Sequence, residues 1–299
     1  MKISAFFDLV RWRTRRWVRR SYMVGKYRIE LPPGHMLDQH QHAFRNYDRK
    51  LPVVATLVDA KYPHTVTLDI GANIGDSAVA LRSAVHGPIL CVEGNPAFLP
   101  YLHSNLRLLP GTNRVIPKFI RPSETDTSNF VIRTARGTAH LLSNDPSRLT
   151  SDVPDTTTVR EIVVDNADLG QVKLVKTDTD GFDFAILRGA LDTLTDSMPV
   201  LYFEFDPLIG SSSPQVAAQA IEGLVNIGYR KVVVYDNYGN FLTGTTLTVE
   251  LALDLVASVT QCNLAGGGAR YFDLCCFSAA DTDIFEALVN LERTVSFAQ

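Results

Sequence analysis

Carboxylates follow several predicted strands of this chain, at positions where they could accept protons or hydrogen bonds. Asp178 and Asp180 follow one apolar run, and Glu204 and Asp206 follow the next. If the two strands are neighbours, their carboxyl ends meet at one edge of a sheet and the four acids share one crevice. A carboxylate beside a hydroxyl can act as a general base, which contributes about 10²–10⁴-fold to a rate. These four acids are the catalytic candidates, and the residue pattern does not rank them.

A glycine-punctuated turn follows an earlier apolar run. Asp69 lies near the end of that run, and Gly71, Asn73 and Gly75 form a G-x-N-x-G turn before a helical run that opens at Asp76. A dinucleotide fingerprint requires glycine where Asn73 stands, with amides facing a pyrophosphate. Asp69 would repel a pyrophosphate, but it suits the amino group and sulfonium of S-adenosylmethionine. A tight strand-to-helix turn without a ligand is the alternative.

A second acid lies where a nucleotide ribose is expected. Glu93 ends the next predicted strand, about 20 residues beyond the turn, where an acid accepts hydrogen bonds from two ribose hydroxyls. An acid at a strand end is a weak signal alone, and a strong one in combination with the turn. The residues expected to contact the cofactor are Asp69, Gly71, Ala72, Asn73, Gly75, Asp76, Ser77, Glu93, Gly94, Asn95 and Asp178.

Strands alternate with helices along most of the chain, which predicts a doubly wound α/β fold. The predicted strands span residues 66–69, 89–92, 114–119, 172–177, 199–203, 229–235 and 271–277, with a hairpin at 130–133 and 140–143. The predicted helices span residues 78–84, 96–109, 183–194, 216–227, 247–259 and 280–296. Residues 143–158 are rich in Ser, Thr, Asp and Pro, which predicts a loop.

A set of motifs runs through this alternation in a fixed order. They are Leu68-Asp69-Ile70-Gly71-Ala72-Asn73-Ile74-Gly75, Glu93-x-Asn95-Pro96, Lys176-x-Asp178-x-Asp180-Gly181-x-Asp183-x-x-Ile186-Leu187-x-Gly189 and Phe203-Glu204, preceded by Asn46-Tyr47-Asp48-Arg49-Lys50-Leu51-Pro52. The set resembles the FkbM-like family of S-adenosylmethionine-dependent O-methyltransferases over about residues 44–278. Many members carry Glu where this chain has the shorter acids Asp180 and Asp183.

The resemblance implies a class I methyltransferase fold, Rossmann-like, with a seven-stranded, mostly parallel sheet whose last strand is inserted antiparallel. It implies S-adenosyl-L-methionine as cofactor, S-adenosyl-L-homocysteine as product, and O-methylation as the reaction. The acceptor would be a hydroxyl on a sugar of a surface polysaccharide or glycolipid, or on a related natural product. The alternatives are a non-catalytic nucleotide-binding module of a complex and an NAD(P)-dependent oxidoreductase, which Asn73 disfavours.

Two groups of residues resemble metal ligands, but neither group has the full set of ligands or the spacing that a metal site requires. Asp178, Asp180 and Asp183 could hold Mg²⁺ or Ca²⁺ through oxygen ligands, but the other ligands of a calcium loop are missing. Asp180 and Gly181 could instead cap the following helix. His35, His40 and His42 lack zinc-site spacing. We therefore expect no metal site.

Composition is that of an ordinary soluble protein. The 299 residues are 45% hydrophobic and 20% charged with a net charge of −3, which does not suggest a nucleic-acid binder. The four cysteines lack metal-ligand spacing, which favours reduced thiols. No apolar run reaches the roughly 18 residues that cross a bilayer. We expect a cytoplasmic protein.

The N-terminal part, residues 1–62, is predicted to extend a methyltransferase domain at 63–299. Residues 1–22 read as a basic helix with six arginines at positions 11–20 and with Trp12 and Trp17. Such a helix could dock on the inner membrane face, or pack on the domain or on a second subunit in a homodimer. A helical cap follows at about 39–60, where Pro52 predicts a kink or a break.

Overall fold

The computed structural model describes residues 19–122, 130–135, 138–143, 155–209 and 212–297. Most of the predicted basic helix, residues 1–18, and residues 144–154 of the predicted loop lie outside the described residues. Within the described ranges, no helix is both long enough and apolar enough to cross a membrane.

The described chain opens with a β-hairpin, where the sequence predicted the end of a basic helix. Strands β1 (Arg20–Val24) and β2 (Tyr27–Leu31) pair antiparallel, with Ile29 and Leu31 buried and alternate residues exposed. The side chain of Asn105 accepts a hydrogen bond from the main-chain N–H of Glu30 and donates to its carbonyl oxygen. These alternating apolar positions form the hairpin because one of its faces packs into the core.

Two helices follow the hairpin. They are α1 (Leu37–Ala43) and α2 (Lys50–Lys61), separated by residues 44–49. The break that Pro52 predicts is therefore present, although it precedes the proline. Pro52 itself lies in the first turn of α2, where its missing N–H has no helical partner to lose.

The centre of the molecule is an eight-stranded sheet in the order β13-β12-β14-β11-β10-β3-β4-β5. Short pairs β6-β9 and β7-β8 lie apart from it. The remaining strands are β3 (Val66–Ile70), β4 (Ile89–Val92), β5 (Asn113–Ile116), β6 (Phe119–Ile120), β7 (Phe130–Ala135), β8 (Thr138–Ser143), β9 (Thr156–Thr157), β10 (Val172–Thr177), β11 (Val200–Phe205), β12 (Tyr229–Asp236), β13 (Phe241–Thr246) and β14 (Phe272–Ser278).

Strand directions give the sheet the class I methyltransferase architecture. Strands β5, β4, β3, β10 and β11 pair in parallel, and β14 lies antiparallel between β11 and β12. This confirms the predicted fold class and the inserted last strand. The eighth strand, β13, extends the edge by pairing antiparallel with β12. Its Thr- and Gly-containing sequence, Phe-Leu-Thr-Gly-Thr-Thr, gave no strong strand signal.

Helices cover both faces of the sheet. After α1 and α2 they are α3 (Asp76–Leu81), α4 (Leu99–Leu106), α5 (Val159–Asp165), α6 (Asp183–Gly189), α7 (Leu191–Ser197), α8 (Pro214–Ile227), α9 (Val249–Ala265) and α10 (Thr282–Phe297). One apolar core joins the sheet to α5 through α9, and the other joins it to the hairpin and to α1 through α4 and α10. Strand β3 is buried at every residue because it lies between these two layers.

Two helical predictions need correction. The helix predicted over 183–194 is two helices, α6 and α7, joined at Ala190. Helix α5 was not predicted, although its capping box is visible in the sequence: the Thr158 side chain accepts from the Glu161 N–H, and the Glu161 side chain accepts from the Thr158 N–H. The predicted hairpin at 130–143 is confirmed as β7 and β8.

Candidate functional site

The site lies where β3 is flanked by β4 on one side and by β10 on the other. Chain connections lead away from β3 in opposite directions at this point, which opens a crevice at the carboxyl ends of the strands. Gly71 follows β3 and Asp178 follows β10. A Cβ atom on Gly71 would lie 2.0 Å from the Asp178 carbonyl oxygen, and Gly71 has a φ of +74°. Glycine is therefore required where the two strand ends meet.

The turn after β3 is held by the carboxylate at the end of β4. The main-chain N–H of Asn73 donates to Glu93 Oε2 at 2.9 Å, and the N–H of Asn95 donates to Oε1 at 2.6 Å. Asn73 adopts a left-handed conformation, with a φ of +49°. Burial raises the pKa of Glu93 to about 7, although the two N–H donors oppose the shift. Glu93 thus fixes the turn and keeps a carboxyl group beside it.

The carboxylate of Asp69 is already paired with other side chains of the protein. Its side chain is fully buried, accepts a hydrogen bond from Ser77 Oγ at 2.6 Å and lies 3.3 Å from Lys176 Nζ. Burial alone would lower the pKa of Lys176, but Asp69, Asp178 and Asp76 outweigh it and raise the pKa. The sequence suggested that Asp69 would meet the amino group of a cofactor. Instead it lines neither cavity of the site and forms a buried ion pair.

Lys176 is the site residue that the sequence reasoning left without a role. Besides Asp69, its Nζ donates to the Gly71 carbonyl oxygen at 3.0 Å and lies 3.8 Å from Asp178 Oδ2. It thereby joins β3 to β10 at the rim of the sheet. The available signal was a lysine at the otherwise apolar end of a buried strand, two residues before an acid.

Two adjacent cavities, which share part of their lining, open at this rim. The smaller, of about 70 Å³, lies beside Glu93 and Gly94. The larger, of about 320 Å³, extends beneath the hairpin, α1 and residues 44–49. Both are lined by Gly71, Asn73, Asp178 and Asp180. An extended ligand can therefore lie across the turn with one end in each cavity.

The smaller cavity is mostly apolar. Its walls include Phe98, Phe119, Ile120, Phe182 and Ile186. Gly94 approaches Phe119 so closely that a Cβ atom would lie 2.4 Å from the ring. A flat, apolar group that ends beside a carboxylate suits this shape.

The larger cavity is acidic and aromatic. Its acids are Asp48, Asp76, Asp178, Asp180, Glu204 and Asp273, and its tyrosines are Tyr47, Tyr202 and Tyr271. Burial and the neighbouring carboxylates raise the pKa of Glu204 and of Asp273 well above the ordinary range. Asp48 lies in the open part of the cleft, and its pKa is raised by partial desolvation and by the nearby carboxylates of Asp76 and Asp178.

Most of the predicted site residues meet here. Gly71, Asn73, Asp76, Ser77, Glu93, Gly94, Asp178, Asp180 and Glu204 line one cavity or both. Ala72, Gly75 and Asn95 are buried in the supporting turns. Asp206 lines neither cavity; its carboxylate accepts from the Leu208 N–H at 2.9 Å and closes a turn. Thus three of the four predicted catalytic acids share the crevice, and Asp206 does not.

Several acidic or aromatic residues of the larger cavity were missed because they come from distant parts of the chain. Asp48 and Tyr47 reach the cavity from the break between α1 and α2, and Asp273 reaches it from β14.

Asp183, part of the D-x-D-G-x-D motif, is buried, and its carboxylate accepts hydrogen bonds from Thr177 Oγ1 at 2.7 Å and from the Thr179 N–H at 3.2 Å. In the described part of the chain, no three His, Cys, Asp or Glu side chains are grouped to hold a metal ion.

This arrangement agrees with a family profile. The FkbM methyltransferase domain matches residues 69–230, more than half of the chain. The chain belongs to the FkbM methyltransferase family. The matched region contains the turn, Glu93, Lys176 and the acids at the ends of β10 and β11.

Solved structures of methyltransferases are similar at low identity. Methyltransferase FkbM from Methylobacillus flagellatus is 19% identical to this chain, with a TM-score of 0.32. The match covers 47% of this chain and 32% of that protein, so this chain spans about a third of its length. Precorrin-6y C5,15-methyltransferase from Geobacter metallireducens is 13% identical over 72% of this chain and 80% of that one, with a TM-score of 0.36. A SAM-dependent methyltransferase from Aquifex aeolicus is 10% identical over 72% and 81%, with a TM-score of 0.34. No curated protein matches significantly.

Proposed function

We propose that this methyltransferase transfers the methyl group of S-adenosyl-L-methionine to a hydroxyl group of a sugar or a related natural product, and releases S-adenosyl-L-homocysteine. The observation that carries the proposal is the pair of cavities that meet at Gly71 and Asn73, with Glu93 in one and a set of acids in the other. One cavity suits a nucleoside and the other leaves room for an acceptor.

The smaller cavity, of about 70 Å³, suits part of the adenosine group of this cofactor, and the rest of that group would lie in the open crevice beside it. Its phenylalanine and isoleucine walls suit a purine ring, and Glu93 is positioned to accept hydrogen bonds from ribose hydroxyls. The rest of the cofactor would pass Gly71 and Asn73 into the larger cavity. No pyrophosphate-binding glycine stands at Asn73, which disfavours NAD(P).

When bound, the cofactor supplies an electrophilic methyl group on a positively charged sulfur. The chain has to align an acceptor hydroxyl with that methyl group, exclude water and accept the hydroxyl proton. Asp178 is the proposed proton acceptor, because it lines both cavities and its side chain is 56% exposed to the cleft. Glu204 and Asp273 keep their protons over a wider pH range than ordinary carboxyls, so they can donate hydrogen bonds to acceptor oxygens.

The residues that line the larger cavity favour a methyl-acceptor substrate that is neutral or positively charged. The six acids outnumber the single lysine in the lining, and that lysine is already paired with Asp69. A phosphate inside the larger cavity would be repelled, so a phosphorylated carrier would have to remain outside it. The three tyrosine rings offer flat surfaces for the apolar faces of a sugar.

Calorimetry with S-adenosyl-L-homocysteine, followed by transfer of labelled methyl groups to neutral glycosides and their phosphorylated counterparts, tests the proposal. We expect binding, and transfer to neutral acceptors. Failure to bind the product would overturn the cofactor assignment. Binding without transfer to any hydroxyl acceptor would favour the alternative, a non-catalytic S-adenosylmethionine-binding module.

We further propose that the basic N-terminal segment attaches this cytoplasmic enzyme to the inner membrane face. Two of its arginines are already used by the fold: the Arg19 guanidinium lies 5.3 Å from the centre of the Tyr101 ring, and Arg20 pairs with Asp38. Removal of residues 1–18 leaves both contacts intact and should abolish sedimentation with anionic vesicles at low salt. If the truncation instead dissociates a homodimer, the segment is a subunit contact.

A further inference from the structure

A histidine forms part of the wall of the larger cavity, next to the turn. His35 is 8% exposed and lies between β2 and α1. Its Nδ1 atom accepts a hydrogen bond from the Leu37 N–H at 3.3 Å. The Nδ1 atom must therefore be unprotonated, so the neutral ring carries its proton on Nε2. His35 thus offers an N–H donor at its far end.

Within the described chain this donor makes no hydrogen bond of ordinary geometry, although the Asn73 side chain lies close to the ring. The Nε2 atom is buried. Burial lowers the pKa of His35, and Asp76 and the Asn73 side chain only partly oppose the shift. A buried donor without an acceptor is unfavourable unless a ligand supplies one.

Asp76 lies in the same wall of the larger cavity, and its carboxyl group needs a hydrogen-bond donor or a positive charge rather than an acceptor. Its carboxyl group lines the larger cavity, and burial raises its pKa. A positive charge on His35 would oppose this rise in the pKa of Asp76 most, and Lys176, which is paired with Asp69, opposes it less. A positively charged group of a ligand would stabilise the ionised form of Asp76.

The position of this pair matches one end of an extended ligand. Both cavities share Gly71 and Asn73, and Glu93 lies on the side of the smaller one. A ligand with its ribose at Glu93 would pass the turn and reach the wall that contains His35 and Asp76. The end of S-adenosylmethionine opposite its adenine carries one ammonium and one carboxylate group.

We propose that His35 and Asp76 bind the amino-acid end of the cofactor, with His35 Nε2–H donating to the carboxylate and the Asp76 carboxylate accepting from the ammonium. This inference rests on the proposed function. It gives Asp76 the contact that the sequence suggested for Asp69, whose carboxylate is held by Ser77 and Lys176.

Paired ligands test the contact in the intact protein. S-adenosyl-L-homocysteine has the amino-acid end, and 5′-methylthioadenosine lacks it. We expect His35→Ala and Asp76→Asn each to weaken the first ligand at least tenfold by calorimetry, and to change the second less than about twofold. His42→Ala is the matched control, because His42 is an exposed histidine of α1 that lines neither cavity, so its removal should leave both affinities unchanged.

Decarboxylated S-adenosylmethionine separates the two residues. It keeps the ammonium and lacks the carboxylate, so Asp76→Asn should weaken it and His35→Ala should not. His35→Gln, which can restore a donor, should recover part of the lost affinity for S-adenosyl-L-homocysteine.

The outcomes distinguish this inference from the proposed function. Equal weakening of both paired ligands by His35→Ala would show a structural role and overturn the inference, as would unchanged affinities in both variants. If the wild-type protein binds neither ligand, the proposed function itself fails. Thermal melts of each variant establish that the compared proteins are folded.

Discussion

Glu204 and Asp273 lie directly opposite each other on β11 and β14, two antiparallel strands at the larger cavity. Directly opposed like charges destabilise a sheet, and both groups are largely enclosed. Burial and nearby carboxylates raise the pKa of each well above its ordinary value. The pair therefore favours a protonated state that ordinary carboxyl groups lose in weak acid.

This pair should make folding stability fall as the pH rises. Each acid binds its proton more tightly in the folded than in the unfolded chain, so stability is greatest below the unfolded pKa and is lost as pH rises towards the folded one. Glu204→Gln removes one ionisation. In denaturant melts the variant should gain stability over the wild type as pH increases, with the difference vanishing in acid. A difference independent of pH would contradict this reading.

The affinity for S-adenosyl-L-homocysteine should depend on pH through Glu93. Its pKa of about 7 in the free protein means that it is partly protonated at neutral pH, whereas ribose hydroxyls favour the ionised carboxylate. Affinity should rise with pH and level off above that pKa, falling by up to about tenfold for each pH unit below it. Calorimetry measures this, and Glu93→Gln should remove the dependence on pH and weaken binding about tenfold or more.

Gly71→Ala should destabilise the fold as well as the site. The methyl group would overlap the Asp178 carbonyl oxygen, and the φ of +74° adds a steric cost of roughly 1–2 kcal/mol. Gly25→Ala is the matched control, since Gly25 has a φ of +56° with no atom within 4 Å of the added Cβ. In chemical denaturation Gly71→Ala should cost about 1–3 kcal/mol more than Gly25→Ala. Equal losses would mean that the strand ends move apart easily.

The sequence predicted the elements that bury continuous apolar runs. Strands β4 and β10 have the predicted bounds and β3 extends one residue further, because each contains four apolar or β-branched residues and is followed by turn residues. Strand β13 was missed because an edge strand is half-exposed and carries no such run. Helix α5 was missed although its capping box was readable.

The sequence predicts those site residues that belong to a motif at the end of a strand. It does not predict the site residues that are contributed by elements remote in the sequence. Glu93 and Asn73 meet because both follow neighbouring strands of one sheet. Asp273 reaches the same crevice only because β14 inserts beside β11, which no local pattern encodes. Likewise, the charge of Asp69 suggested a ligand contact, but the tertiary position of Lys176 supplies its partner.

The Asp69–Lys176 ion pair should be costly to break and much less costly to replace. Both side chains are almost completely excluded from water, 3.3 Å apart, so removal of either leaves the other charge buried and unpaired. We expect Lys176→Met and Asp69→Asn each to lower the free energy of unfolding by about 3–5 kcal/mol. The double variant should lose less than the sum of the two, since no isolated charge remains.

Equilibrium denaturation of the four proteins gives the coupling energy of this pair. Lys50 and Glu292 provide the matched control, because they form another partly buried ion pair, at 2.6 Å, on the side of α10. Lys50→Met should destabilise the fold but leave the affinity for S-adenosyl-L-homocysteine unchanged, whereas Lys176→Met should reduce both, because Lys176 also holds the Gly71 carbonyl at the turn. Additive losses at Asp69 and Lys176, or normal ligand affinity in folded Lys176→Met, would show that the pair does not organise the site.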